Sequence, residues 1–434
     1  MKLATQRVTL SAAILALLAP LFAAPASAEL FFPALSYRTG PYGPNGIPFF
    51  DGYADYFTLL NERDGGIGGV RVRATECETA YNTERGVECY ESTKGQGALF
   101  YQPMSTGITY QLIPKVAVDK IPLFTMGYGR TSAANGRVFP WVFNFPGTYW
   151  DAASIIVKHI KDEEGGSLRN KKIALLYHNS AYGKEPIRTL QTLAEKHGYE
   201  LMLLPVDHPG QEQKSQWLQI RRERPDYVVM WGWGVMNQVA IKEASNIRFR
   251  MDRFIGAWWS GSENDVLPSG AGAHGYKAVT FHGVGRNFPL YDDLKKYVVA
   301  RGKASGDGSH LGTVLYNRGV YAALLASEAA AAAQRIHGTR DINSEQMRDG
   351  MEALKLTRAR MAELGIPDFG PEIAVSCANH GAPGLGAIQQ WNARTKSWKL
   401  ITGFRGADRA VVDPLIEEDS AAYAAENSIT PRDC

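Results

Sequence analysis

The sequence predicts an α/β protein of two similar lobes, and three observations carry that reading. Strand-like and helix-like stretches alternate along most of the chain. The alternation starts afresh after Pro146. Setting aside an N-terminal leader leaves 406 of the 434 residues, enough for two lobes of ordinary size. Alternating β and α stretches argue for parallel sheets with helices on both faces.

The leader is read from its charge and hydropathy pattern. Lys2 and Arg7 give a basic start, residues 10–19 are apolar, and Ala26-Ser27-Ala28 offers a small-residue cleavage site before Glu29. The apolar stretch is too short to span a bilayer core of roughly 30 Å, so an export signal over 1–28 is expected, and with it a periplasmic location. Its removal lowers the formal charge from +3 to +1, leaving no basic stripe for nucleic acid or an anionic membrane.

In the first set, residues 30–36 read as a strand. A helix over 48–62 follows, with Pro48 at its start and Asp64-Gly65-Gly66 beyond its end. Strands are expected at 70–75, 98–101 and 121–125, and helices at 83–91 and 106–118. The second set has helices at 149–161, 185–197, 214–223 and 235–245, and strands at 172–177, 201–205, 227–231, 253–256 and 278–281. Residues 315–335 form a long Ala-rich helix stopped by Gly338, whose small residues mean either close packing or a solvated face. Residues 387–391 and 398–404 read as a hairpin.

Four cysteines in an exported chain point to two disulfides, and four allow three pairings. Cys77 and Cys89 lie just after a strand and in the following helix, which favours a local bridge. Cys377 and Cys434 would then staple the C-terminal tail to the body.

Several strings, in this order, resemble a known family. They are Thr39-Gly40-Pro41-Tyr42-Gly43, Asn61-Glu62-Arg63-Asp64-Gly65-Gly66-Ile67, Ala181-Tyr182-Gly183, Pro225-Asp226-Tyr227-Val228-Val229 and Tyr316-Asn317-Arg318-Gly319-Val320-Tyr321, followed by the Trp-bearing hairpin. The chain is similar to the type I periplasmic solute-binding proteins of ABC importers, in their branched-chain amino acid-binding branch. The resemblance implies two Rossmann-like lobes with parallel sheets joined by a three-strand hinge. Lobe one would hold 29–144 plus 283–370, and lobe two 145–282 plus 371–434. It also implies a monomer whose partners are a small-molecule ligand and the permease subunits in the inner membrane, with the ligand between the lobes at the carboxyl ends of the strands.

Candidate ligand residues sit at strand–helix junctions. Ser105 or Thr106 caps a helix whose free N–H groups suit a carboxylate, although a plain N-cap has the same sequence. Tyr128 and Gly129 follow the 121–125 strand, and the resemblance gives that loop further carboxylate contacts. Tyr42 and Tyr182 belong to the family strings. Tyr149, Trp150, Trp231, Trp233, Trp258 and Trp259 would supply aromatic walls, with about half of these rings expected in the core instead. Amino acid binders of this family carry an acid after a Phe-x-Gly strand end to hold the ligand ammonium. This chain reads Phe254-Ile255-Gly256-Ala257-Trp258-Trp259, and the next acid is Glu263.

The expected ligand is therefore a small aromatic or apolar carboxylate, with a branched-chain amino acid, an amide such as urea, or a quaternary ammonium as alternatives within the class. An exported enzyme is the rival class. The sequence has no G-x-S-x-G elbow, no H-E-x-x-H pair and no clustered ligand set, so neither catalysis nor a cofactor is expected. A sensor role in place of import stays open.

Overall fold

The computed structural model describes residues 29–434, and the expected leader over 1–28 lies outside the described residues. Two sheets organise the chain. In the first, β1 (Leu30–Ser36) and β2 (Val72–Glu78) run parallel, with Leu30 opposite Val72. Parallel bridges from Phe31 to Ala98, Ala34 to Gln102 and Tyr101 to Leu123 carry the layer across to β3 (Leu123–Phe124), which pairs in parallel with β4 (Val142–Phe143). The strand expected at 98–101 thus contributes single bridges. It is cut short where the chain bends at Met104, whose φ is +48°, into the next helix.

The second sheet has seven strands. They are β5 (Lys172–His178), β6 (Glu200–Val206), β7 (Tyr227–Trp231), β8 (Phe254–Gly256), β9 (Lys277–Thr280) and the later pair β12 (Ala387–Asn392) and β13 (Ser397–Leu400). Between those groups β10 (Lys355–Leu356) and β11 (Ile373–Ala374) form a small separate ladder. The sheet order is β13-β12-β9-β8-β7-β5-β6, parallel except where the C-terminal hairpin adds to β9. All five residues of β7 are buried, as a parallel strand covered on both faces requires. The chain passes from the first sheet to the second after β4, returns after β9, and crosses again between β11 and β12. These three crossings link the two lobes, as the expected three-strand hinge requires.

The first helix runs Gly43–Leu59 and begins five residues before Pro48. An internal proline has no N–H for the carbonyl one turn back, and here that carbonyl, on Pro44, accepts instead from the Asn264 side chain of the other lobe. The helix crosses Val314–His337 at glycine notches. A Cβ on Gly52 would sit 2.1 Å from the Tyr316 carbonyl, and one on Gly319 would sit 1.9 Å from that of Phe49. Close packing therefore explains the alanines of the long helix, which is buried along most of its length.

Cys77 is bonded to Cys89, and Cys377 to Cys434. The tail between the hairpin and Cys434 forms a helix, Arg409–Glu426, which the periodicity reading did not identify. Its Asp419 accepts from Arg130 and Ser132 of the first lobe. No helix among the described residues is long and apolar enough to cross a membrane.

Candidate ligand-binding cleft

The carboxyl ends of the two sheets face each other across a small cavity. On the first-lobe side Tyr37 follows β1, Tyr81 follows β2, Met104-Ser105-Thr106 opens the helix Thr106–Asp119, and Tyr128 follows β3. On the other side Tyr149 opens the helix Tyr149–Glu163, Tyr182 follows β5, Trp233 follows β7 and Trp259 follows β8. Seven residues singled out from the sequence thus share one cavity: Ser105, Thr106, Tyr128, Tyr149, Tyr182, Trp233 and Trp259. Tyr37, Tyr81 and Met104 were missed. The same rule applied to the first two strands reaches both tyrosines, because each comes within three residues of a strand's carboxyl end.

The other five candidates lie off the cavity. Gly129 donates its N–H to Thr106 Oγ1 at 3.2 Å and so supports the wall from behind. Trp150 donates its indole N–H to the Glu185 carbonyl, and Trp231 is fully buried, edge-on to Tyr149. Tyr42 stacks on Tyr81, with ring centroids 4.2 Å apart. Trp258 lies one layer behind Trp259, with the Arg318 guanidinium 3.9 Å above its ring centroid. That guanidinium also donates to the Trp258 carbonyl and, at 3.3 Å, to His282 Nε2. Burial lowers Arg318 to about 9 and His282 to about 3, so the imidazole accepting that bond is neutral.

Direct bonds hold the two walls together. Tyr149 Oη and Thr106 Oγ1 are 3.0 Å apart, and Trp233 Nε1 donates to Tyr37 Oη at 3.1 Å. Tyr128 Oη accepts from the Met104 N–H, and Tyr182 donates to the Gly232 carbonyl. Burial pushes the phenols of Tyr37, Tyr128, Tyr149 and Tyr182 well above their ordinary range, so they stay neutral. Ser105 Oγ caps its helix through Ile108 N at 3.4 Å. Among the described residues the N–H groups of Thr106 and Gly107 have no acceptor, and neither has the buried indole N–H of Trp259. The cavity is therefore neutral and aromatic, with spare donors and no acid in its lining.

The nearby acids are committed elsewhere. Asp265 accepts from Ser262, from Asn45 at 3.0 Å and from Asn237 at 3.0 Å, while Glu263 takes the Val314 N–H at 2.9 Å. Glu185 accepts from Tyr110 and the Thr131 N–H, both of the first lobe, and burial raises it and Glu263 to about 7.

The sequence model of the family described as periplasmic binding protein matches residues 29–396. The chain belongs to that family. A solved structure described as an ABC transporter permease from the Pseudomonas fluorescens group is 42% identical, with a TM-score of 0.86 over 94% of this chain and 99% of the other. A branched-chain amino acid ABC transporter structure from Thermus thermophilus with bound valine is 19% identical, with a TM-score of 0.75 over 89% and 98% of the two chains. A solute-binding protein from R. palustris in complex with benzoate is 15% identical, with a TM-score of 0.67 over 88% and 97%. No curated protein sequence matches. The family is one of periplasmic binding proteins and these neighbours are described as parts of ABC transporters, which places this periplasmic binding protein outside the cytoplasm.

Proposed function

We propose that this chain, exported by residues 1–28 and monomeric, delivers a small aromatic or apolar carboxylate to an inner-membrane ABC permease. Lobe one comprises 29–144 plus 283–370, and lobe two 145–282 plus 371–434. The observation that carries the ligand class is the neutral cavity, which has spare N–H donors on one wall, indoles on the other and no acid to meet an ammonium. The same fold holds valine in one neighbour and benzoate in another, so the lining rather than the fold selects the ligand.

In this reading Ser105 and the N–H groups of Thr106 and Gly107 receive the carboxylate at a helix N-terminus, where the helix dipole favours negative charge. Trp259 adds an indole donor, and Trp233, Tyr149 and Tyr182 enclose the apolar body. An α-ammonium would shed its water against these rings with no carboxylate in reach, and a cation–π attraction of roughly 0.5–2 kcal/mol returns only part of that loss. Calorimetry on matched pairs, such as phenylpropionate and phenylalanine, tests the proposal. The acid should bind at least about tenfold more tightly, equivalent to about 1.4 kcal/mol. Equal or tighter binding of the amino acid overturns the ligand class.

A further inference from the structure

The cavity lining is neutral, but a positive charge stands one layer behind it. Arg318 comes from the long helix Val314–His337 and is fully buried. Its guanidinium carbon lies 3.9 Å from the ring centroid of Trp258 and 4.8 Å from that of Trp259. Two of its nitrogens are used, one donating to the Trp258 carbonyl and one, at 3.3 Å, to His282 Nε2. The third, Nη2, is buried without an acceptor among the described residues, as are the indole N–H groups of Trp258 and Trp259. No carboxylate among the described residues bonds to this guanidinium. Asp265 and Glu263 act on it only through space, and their own bonds go to Ser262, Asn45, Asn237 and the Val314 N–H. Burial holds both carboxyls above their ordinary range, Glu263 at about 7, so they neutralise the guanidinium only in part.

We propose, on the basis of the carboxylate reading above, that Arg318 selects the ligand's charge. Acting through Trp259, it makes the cleft hold an anion in preference to a neutral molecule of the same shape. Trp259 is the link, because it touches both the guanidinium and the cavity. A cation over an indole face draws on the ring's electrons and makes the indole N–H a stronger donor. A carboxylate oxygen accepting from Trp259 Nε1 over about 2.9 Å would stand within about 10 Å of the guanidinium carbon. At an effective dielectric of about 20, attraction between unit charges at that distance is worth more than about tenfold in affinity. A primary amide of the same shape accepts the same hydrogen bonds but carries no charge for Arg318 to attract. A buried cation with incomplete compensation is costly, and the ligand's negative charge offsets part of that cost.

Calorimetry with phenylpropionate and phenylpropionamide tests the assignment, since neither probe carries an ammonium. The wild type should bind the acid at least about thirtyfold more tightly than the amide. Arg318→Gln, which keeps a donor for the Trp258 carbonyl, should cut that ratio at least about tenfold by weakening the acid alone. Arg318→Lys, measured at about pH 6 so that a buried ammonium keeps its proton, should restore most of the ratio. A residue that only packs the indole pair would lose acid and amide alike, and lysine would restore neither. That pattern, or a wild-type ratio below about tenfold, overturns the role of Arg318 and leaves the ligand class standing. The wild-type ratio decides even where a variant does not fold. Failure of the wild type to bind either probe overturns the ligand class and the role of Arg318 together.

Discussion

The two walls of the cleft are built from different chemistry on similar scaffolds. Both stand at the carboxyl ends of parallel strands. The first-lobe wall, however, presents a helix N-terminus and hydroxyls from Tyr37, Tyr81, Ser105, Thr106 and Tyr128. The second presents the indoles of Trp233 and Trp259 beside Tyr149 and Tyr182. The first wall offers direction, since hydrogen bonds fix where an oxygen sits. The second offers area, since each large ring buries roughly 150–250 Å². Division of this kind lets one fold change its ligand by altering one wall, as long as the other still holds the head group.

Removing area should cost most. Trp259→Ala deletes a ring that touches the cavity, Trp233, Tyr128 and Phe49, and should weaken aromatic-acid binding about 100-fold. Trp259→Phe keeps a ring but loses the unpaired N–H and should lose about tenfold. Calorimetry reads both, and a larger loss in the Phe variant than in the Ala variant would reverse the assignment of area to this wall.

Removing direction comes next. Thr106→Val deletes the hydroxyl that meets Tyr149 across the cleft and accepts from the Gly129 N–H. Binding should weaken about fivefold to tenfold, and scattering should show a more open unliganded chain. An unchanged dissociation constant would mean that this bond plays no part in closure.

Acidity should separate the lobes more gently. Closure buries Glu185 against Tyr110 and Thr131 of the first lobe, and its carboxyl is raised to about 7 from the usual range near 4.5. A carboxyl raised on closure favours the closed form while it is protonated. That contribution is whole below about pH 4.5 and is lost as pH rises through about 7. Glu263, raised likewise and bonded to Val314, acts in the same direction. Ligand affinity should therefore fall from pH 6 to pH 8 by at least about threefold and up to about tenfold for each carboxyl, and Glu185→Gln should flatten much of that slope. A rise in affinity over this range would contradict the sign.

The smallest effect on binding is expected far from both walls. The Cys377–Cys434 bridge closes a loop of 57 residues, and replacing both cysteines by serine should lower stability by about 2–4 kcal/mol. The dissociation constant should change less than about twofold, because the bridge fastens the tail and touches neither wall. Thermal unfolding and calorimetry on the same variant separate the two quantities.

The alternation of strands and helices was legible in the sequence because it is local. The period of apolar residues, the caps and the Gly/Pro stops all act within a few residues of one another. The rule that ligands gather at the carboxyl ends of parallel strands is nearly as local, and it reached seven of the ten residues around the cavity. Which ring of an adjacent pair faces inward was not local. Trp258 and Trp259 share a turn, and the buried Arg318, 59 residues along the chain from Trp259, lies over both rings, 3.9 Å from the centroid of the first and 4.8 Å from that of the second, yet only Trp259 lines the cavity. A Trp258→Glu substitution, attractive from the sequence alone, would accordingly set its carboxylate beside Arg318 rather than beside a ligand. The tail helix Arg409–Glu426 was hidden for a related reason. Its pattern carries Pro414 and a weak apolar stripe, and its place is fixed by Asp419 reaching Arg130 and Ser132 across the fold. The sequence by itself determined the fold class and favoured, among three possible pairings, the cysteine pairs that the structure holds. Tertiary packing alone decided which side chains face the cavity and which cation stands behind them, because those choices depend on atoms far apart in the chain.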